Sequence, residues 1–253
     1  MSALTIAQRR GLWVPPLVLA VFAAIGMVIT ATDLNSSEIA LSIWFTLHQR
    51  EPWSTIFEGI AVGLSPLGAV IITGVLALVV GWWRSLVAGL RLLALTGAGW
   101  GFAALIKPLV SRPRPDAALL FDPISPQVGQ LSFPSGHTAF AAALASAVVL
   151  VVVPRASRHV GFIVGSVAVA LVAVSRVYVG AHFLTDVTAG AILGATGVWF
   201  AVSLERWWHL RQARFSEDVP ALADPSTPAP IAAPPATSPR PTPPSSETDR
   251  PTY

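Results

Sequence analysis

Apolar runs of about twenty residues recur along this chain, each long enough to cross the hydrocarbon core of a bilayer as a helix. They fall at about residues 12–31, 59–83, 86–106, 135–153, 160–179 and 182–204. Charged residues make up 11% of the 253 residues, against about 25% in soluble domains. Mean hydropathy is +0.65. These features predict an all-α, polytopic membrane protein with six transmembrane helices. The first run is longer than the apolar core of a signal peptide, so it is read as a retained helix, with Pro15 and Pro16 in its first turn or so. Arg9-Arg10 has flanks that give little support to a twin-arginine signal.

Between the first two runs, residues 32–58 alternate charged positions with apolar ones: Asp33, Glu38, His48, Arg50, Glu51 and Glu58 among Ile39, Trp44, Phe45, Trp53 and Phe57. That mixture predicts a helix lying in the membrane interface. Residues 1–11 read as an N-terminal segment, 12–214 as the membrane domain and 215–253 as a disordered tail. The tail is rich in Pro, Ala, Ser and Thr and cannot bury a core. No cysteine is present, which excludes disulfides and thiolate metal sites.

Arginine placement orients the six spans. Arg9, Arg10, Arg84, Arg155, Arg158, Arg206, Arg211 and Arg214 share a side with both termini; Arg50, Lys107, Arg112, Arg114 and Arg176 fall on the other. The positive-inside rule puts the termini in the cytoplasm of a cell membrane. The sequence pI of about 10.2 then reflects loop arginines that hold topology rather than binding to nucleic acid.

Three polar stretches interrupt the apolar pattern. Residues 107–115 hold Lys107, the only lysine in the chain, with Arg112 and Arg114 between prolines. Ser132-Phe133-Pro134-Ser135-Gly136-His137 opens the fourth span. Ser135 and Gly136 there offer backbone N–H groups at the positive end of a helix, and His137 faces the same anion one turn in. The third stretch, residues 175–186, carries Ser175, Arg176, His182 and Asp186. With a helix after Gly180, His182 and Asp186 fall one turn apart on one face. The carboxylate then fixes the imidazole tautomer and leaves the other nitrogen free to act as a nucleophile. Asp186 is the only acidic residue in the six spans as drawn. A carboxylate there costs roughly 2.5–3.5 kcal/mol at a helix centre, so it needs a partner and a task. Six alternating spans bring all three stretches to the outer face.

Taken together, the three stretches resemble the signature of the type 2 phosphatidic acid phosphatase superfamily: lysine, six residues, Arg-Pro; then Pro-Ser-Gly-His; then Ser-Arg, five residues, histidine, three residues, aspartate. Lys107 with Arg114-Pro115, Pro134-Ser135-Gly136-His137, and Ser175-Arg176 with His182 and Asp186 fill every position in order, over residues 107–186. The resemblance implies an integral-membrane lipid phosphatase that works without metal or other cofactor through a phosphohistidine. His182 is its expected nucleophile, Asp186 the partner of that histidine, and His137 the acid and base. Lys107, Arg114, Ser135, Gly136 and Arg176 are the expected phosphate ligands. Arg112 lies outside the signature and is read as a headgroup contact. Asp116 and Asp122 have no ligand partner at a telling spacing for Mg²⁺.

The expected substrate is a polyprenyl diphosphate, phosphatidylglycerol phosphate or phosphatidic acid, and outward topology favours the first. A lipid phosphotransferase or phospholipid-binding protein would use the same pocket. A transporter with His182–Asp186 as a proton relay gives no role to Pro-Ser-Gly-His. Vanadium haloperoxidases share the phosphate-pocket signature, but a six-span chain of this composition is not expected to have peroxidase activity.

Overall fold

The computed structural model describes residues 5–32, 34–121, 123–124 and 131–218. Asp33, Asp122 and the Pro-rich stretch 219–253 lie outside the described residues. The chain separates into two compact units, Met1–Arg211 and Gln212–Tyr253, and the site lies in the first.

Among the described residues the fold is all-helical. Its α-helices are α1 (Ile6–Ala31), α2 (Leu34–Leu47), α3 (Trp53–Gly63), α4 (Pro66–Trp83), α5 (Leu86–Ala104), α6 (Lys107–Val110), α7 (Gly136–Val151), α8 (Arg158–Tyr178) and α9 (Leu184–Asp218), with short 3-10 turns at Ala117–Leu119 and Arg155–Ser157. The one β-type pairing described is an isolated antiparallel bridge between Pro113 and Leu131. Among the described residues, five segments are long and apolar enough to cross a membrane: Gln8–Ala31, Pro66–Trp83, Leu86–Val110, Arg155–Tyr178 and Leu184–Ala213. Apolar α7 has 16 residues, fewer than these five.

Several boundaries differ from the sequence expectation, each for a local reason. α1 starts at Ile6, where Thr5 and Gln8 form a reciprocal capping box. Pro15 and Pro16 therefore sit inside the helix, not in its first turn. The expected second span breaks in two. Ser65 caps α4 through the N–H of Gly68, with Pro66 at the first helical position, so residues 59–63 belong to α3 instead. The expected interfacial helix is thus two helices, α2 and α3. α9 runs past Leu204 to Asp218 because no proline or glycine intervenes. That extension adds Glu205 to the acidic residues of the span, paired with Arg91 of α5 at 3.0 Å.

The core sits where α5, α7 and α9 meet. α7 packs between α5 and α8, and α4 lies against α5. Leu92, Leu95, Ala143, Ala147, Val198 and Val202 form one buried cluster; Phe102, Ile106, Phe133, Ala139 and Leu193 form another. A side chain at Gly194 would collide with the backbone oxygen of Ala139. That glycine lets α9 approach α7 at backbone distance, the kind of packing that holds helices together in lipid. The outward faces of α1, α4 and α8 remain apolar, with Leu17, Leu78, Ile163 and Val167 exposed, a pattern suited to hydrocarbon rather than water.

Candidate active site

The turn between α8 and α9 is set by Gly180. Its N–H bonds the carbonyl of Val177 at 3.0 Å, and the N–H of Ala181 bonds that of Arg176 at 3.1 Å, which together make a Schellman motif. Gly180 has φ +72°, and a methyl group there would lie 2.5 Å from Cδ1 of Leu120. Only glycine meets both constraints without strain. His182 follows in the turn, and its own N–H also bonds the carbonyl of Arg176, at 3.2 Å.

α9 begins at Leu184, two residues after His182. The one-face helical relation expected for His182 and Asp186 is therefore replaced by a turn. Asp186 reaches back over the helix start. Its Oδ2 accepts from the N–H of Phe183 at 2.9 Å and lies 3.4 Å from Nδ1 of His182. Its Oδ1 accepts from Nη1 of Arg112 at 2.7 Å. His182 and Asp186 are both buried. Burial pushes the His182 imidazole down to about 3, while its contact with Asp186 acts in the opposite direction.

Arg112 overturns its reading as a headgroup contact. The residue is 0% exposed, and its guanidinium lies 4.1 Å from the Phe183 ring centroid. Both ends of the surrounding loop are tied down. The N–H of Ser132 bonds the carbonyl of Arg112 at 2.8 Å, and the Ser132 hydroxyl bonds that of Pro113 at 3.0 Å. This pairs the first polar stretch with the second. Nζ of Lys107 donates to the carbonyl of Pro134 at 3.1 Å, and Nη1 of Arg114 donates to the carbonyl of Ala181 at 3.0 Å. Burial pushes the Arg114 guanidinium below its usual range, and the Asp186 carboxylate counters it.

The second stretch enters α7. The N–H of Ser135 donates to the backbone carbonyl of Asp186 at 2.9 Å. It is therefore spent on joining the starts of α7 and α9, not offered to an anion as expected. Gly136, first residue of α7, carries the N–H that a helix start leaves for a ligand. His137 is the second residue of α7, so it stands at the helix start and not one turn in. Its Nε2 lies 3.0 Å from the carbonyl oxygen of Ala61 in α3. With that nitrogen donating, Nδ1 is the proton-accepting position of the neutral ring.

All three stretches open onto one cavity of about 420 Å³. Lys107, Arg114, Ser135, Gly136, His137, Arg176 and His182 line it, and Asp186 stands behind His182. Nε and Nη1 of buried Arg176 have no hydrogen-bond partner among the described residues, which suits donors kept for an oxyanion. The rest of the lining is largely apolar: Ala61, Leu64, Ser65 and Pro66 from α3, α4 and the turn between them, with Trp100, Ala103 and Ala104 of α5. Among the described residues, no group of three His, Cys, Asp or Glu is placed to hold a metal ion. Sequence reasoning missed Ala61, a backbone contact with no side-chain signal, and misassigned Arg112. The clue for Arg112 was available: a third cation within eight residues, where topology disfavours positive charge.

The model of the PAP2 superfamily matches residues 82–210. Phosphatidylglycerophosphatase B of Bacillus subtilis is 31% identical over 182 residues, which cover 68% of this chain and 85% of that protein. Decaprenylphosphoryl-5-phosphoribose phosphatase of Mycobacterium tuberculosis is 40% identical over 95 residues, 37% of this chain and 48% of that one. Two solved structures share the fold. The transmembrane PAP2 type phosphatidylglycerolphosphate phosphatase from Bacillus subtilis gives a TM-score of 0.62 at 23% identity, over 83% of this chain and 98% of that one. LpxE of Aquifex aeolicus gives 0.52 at 24%, over 70% and 98%.

Proposed function

This chain belongs to the PAP2 superfamily and is a phosphatase of that family, and we propose that it removes a terminal phosphate from a membrane lipid through a phosphohistidine on His182, without metal. The observation that carries this reading is the single cavity where two imidazoles, three cations and a helix start meet.

The reaction runs in two steps. Asp186 holds the Nδ1 side of His182, so Nε2 attacks phosphorus. A nitrogen–phosphorus bond forms as the ester phosphorus–oxygen bond breaks, and His137, which has taken a proton onto Nδ1 from the incoming phosphate monoester, gives that proton to the leaving oxygen. Water then attacks the phosphohistidine, His137 takes the proton from that water, and inorganic phosphate leaves with His182 restored. Lys107, Arg114, Arg176 and the N–H of Gly136 neutralise the non-bridging oxygens as charge shifts onto them. Asp186 offsets the positive charge that develops on the His182 ring.

The substrate is a lipid phosphate whose tail lies along the apolar wall of α3–α5 while its headgroup meets the cations. The Bacillus relative, matched over most of both chains, supports phosphatidylglycerol phosphate. The Mycobacterium relative supports a polyprenyl-linked phosphate, the class to which the polyprenyl diphosphate expectation belongs. α7 completes a set of six spans, α2 and α3 lie in the interface, and residues 12–214 make up the working domain. Both termini are cytoplasmic, with the cavity opening on the outer side. The chain lacks cysteine, so single cysteines placed at Leu119 and at Arg155 report orientation directly. An impermeant maleimide should label the first and spare the second in intact cells.

The decisive experiment measures inorganic phosphate release by detergent-purified protein from a lipid panel, beside His182→Ala. Release by the wild type that disappears in the variant, with acid-labile radiolabel trapped on the wild-type chain, is the expected result. Near-normal release by His182→Ala would end the phosphohistidine reading. Transfer of phosphate to another lipid without release would identify a phosphotransferase instead.

A further inference from the structure

We propose that Glu38 of α2 is a positioning residue for the phosphoryl-transfer centre, acting on Asp186 through Arg112. The proposal rests on His182 being the nucleophile. Glu38 lies in the N-terminal part of the chain, 147 positions from Thr185, and outside the three signature stretches. Nevertheless it reaches the start of α9. Its Oε1 accepts from the N–H of Thr185 at 2.9 Å, and its Oε2 accepts from the Thr185 hydroxyl at 2.7 Å. The same Oε2 accepts from Nη2 of Arg112 at 2.6 Å. Arg112 gives its other terminal nitrogen, Nη1, to the Thr185 hydroxyl at 2.6 Å and to Asp186 Oδ1 at 2.7 Å. One buried guanidinium is thus shared between two carboxylates.

Charge balance gives this arrangement its consequence. Arg112 and Asp186 alone would form a neutral pair, and a neutralised Asp186 does little for a cation forming on His182. Glu38 draws part of the guanidinium's hydrogen bonding to itself and leaves the trio with a net charge of −1. That charge faces His182 on the side of Asp186 and favours the ring as it becomes phosphorylated and positive. A carboxylate at Thr185 also suits the positive end of α9 and ties α2 to the turn that carries the nucleophile. Outer partners of this kind orient and tune histidines that bind metals, and the same physics applies to a nucleophilic histidine.

A purely structural salt bridge makes a different forecast, and Glu38→Gln separates the two. The amide keeps an acceptor oxygen in place and removes the charge. Phosphate release, inhibition by inorganic phosphate and inhibition by vanadate, a mimic of the phosphoryl transition state, are measured on the same purified protein. The expected result is a fall in kcat of about ten- to a hundredfold, the usual range for outer-shell partners. KM and the phosphate inhibition constant should stay within about threefold, as binding of the ground state does not charge His182. The vanadate inhibition constant should weaken in step with kcat, and Glu38→Asp should recover most of the loss. Unchanged kcat and vanadate inhibition in Glu38→Gln would overturn the proposal. So would vanadate and phosphate inhibition weakening together as the melting temperature falls. If Glu38→Gln does not survive purification, Thr185→Val, which removes the hydroxyl shared by Glu38 and Arg112 and keeps the backbone N–H bond to Glu38, is judged by the same split between vanadate and phosphate. Wild-type phosphate release and its loss in His182→Ala, run alongside, test the nucleophile separately.

Discussion

Gly180→Ala isolates how far the α8–α9 turn governs the nucleophile, and its cost divides into two parts. Gly180 holds φ +72°, where an L residue is less stable by roughly 1–2 kcal/mol. The new methyl would also lie 2.5 Å from Cδ1 of buried Leu120, and overpacking of this kind costs roughly 1–3 kcal/mol. The two together should lower the melting temperature in detergent by roughly 5–15 °C for a chain of this length. The turn will also shift to relieve the contact. His182 is two residues on and is held by the carbonyl of Arg176, so it moves with the turn. A displacement of about 1 Å at a reacting group can lower turnover about a hundredfold. The assay pairs thermal melting with phosphate release for Gly180→Ala, Leu120→Ala and the double variant. Trimming Leu120 removes the collision and leaves the backbone term, so the double variant should recover the overpacking share only. Wild-type melting and turnover in Gly180→Ala would refute the account of this turn. Full recovery in the double variant would show that backbone conformation at 180 carries no cost.

Four further outcomes are expected. His182→Ala should lose phosphate release by about 10⁴-fold or more while Asp186→Asn loses about 10²–10⁴-fold, each with the wild-type elution volume on gel filtration. Arg176→Lys keeps the charge but loses the planar fork, and one charge-assisted hydrogen bond is worth about 1.5–3 kcal/mol, so kcat/KM should drop about ten- to a hundredfold. Burial pushes His182 down to about 3, so the nucleophile is neutral at pH 5. An ordinary imidazole would lose about twenty-five-fold of its neutral form between pH 7 and pH 5. Phosphoenzyme formation by rapid quench should instead stay within about threefold, and a loss of tenfold would contradict the buried, neutral histidine. Full activity is expected in EDTA and inhibition by vanadate; activity lost in EDTA and restored by Mg²⁺ would point to different chemistry.

Much of this architecture is legible in the sequence because lipid imposes a simple rule: long apolar runs become helices. Counting six spans leads to the expectation that the three polar stretches converge, and Lys107, Arg114, His137, Arg176 and His182 do share a cavity. What escaped was decided at closer range. Spacing alone placed His182 and Asp186 on a helix, whereas the positive φ of Gly180 ends α8 and leaves His182 in a turn. The N–H of Ser135 looked open to an anion because its acceptor, the Asp186 carbonyl, is a backbone group about fifty positions away. Glu38 stood in a mixed segment beside Asp33, Glu51 and Glu58, and nothing along the chain set it apart. Such contacts are made by the folded backbone, and periodicity carries no trace of them.

The wall that α3 gives the cavity has a practical side. The matched family region begins at residue 82, but the carbonyl that meets His137 belongs to Ala61, and Leu64, Ser65 and Pro66 close the same cavity. A chimera built by grafting residues 82–210 onto a foreign leader would carry every signature residue into a chamber with one side missing. Successful transplantation has to begin upstream, at α2, so that the borrowed histidines arrive with their enclosure.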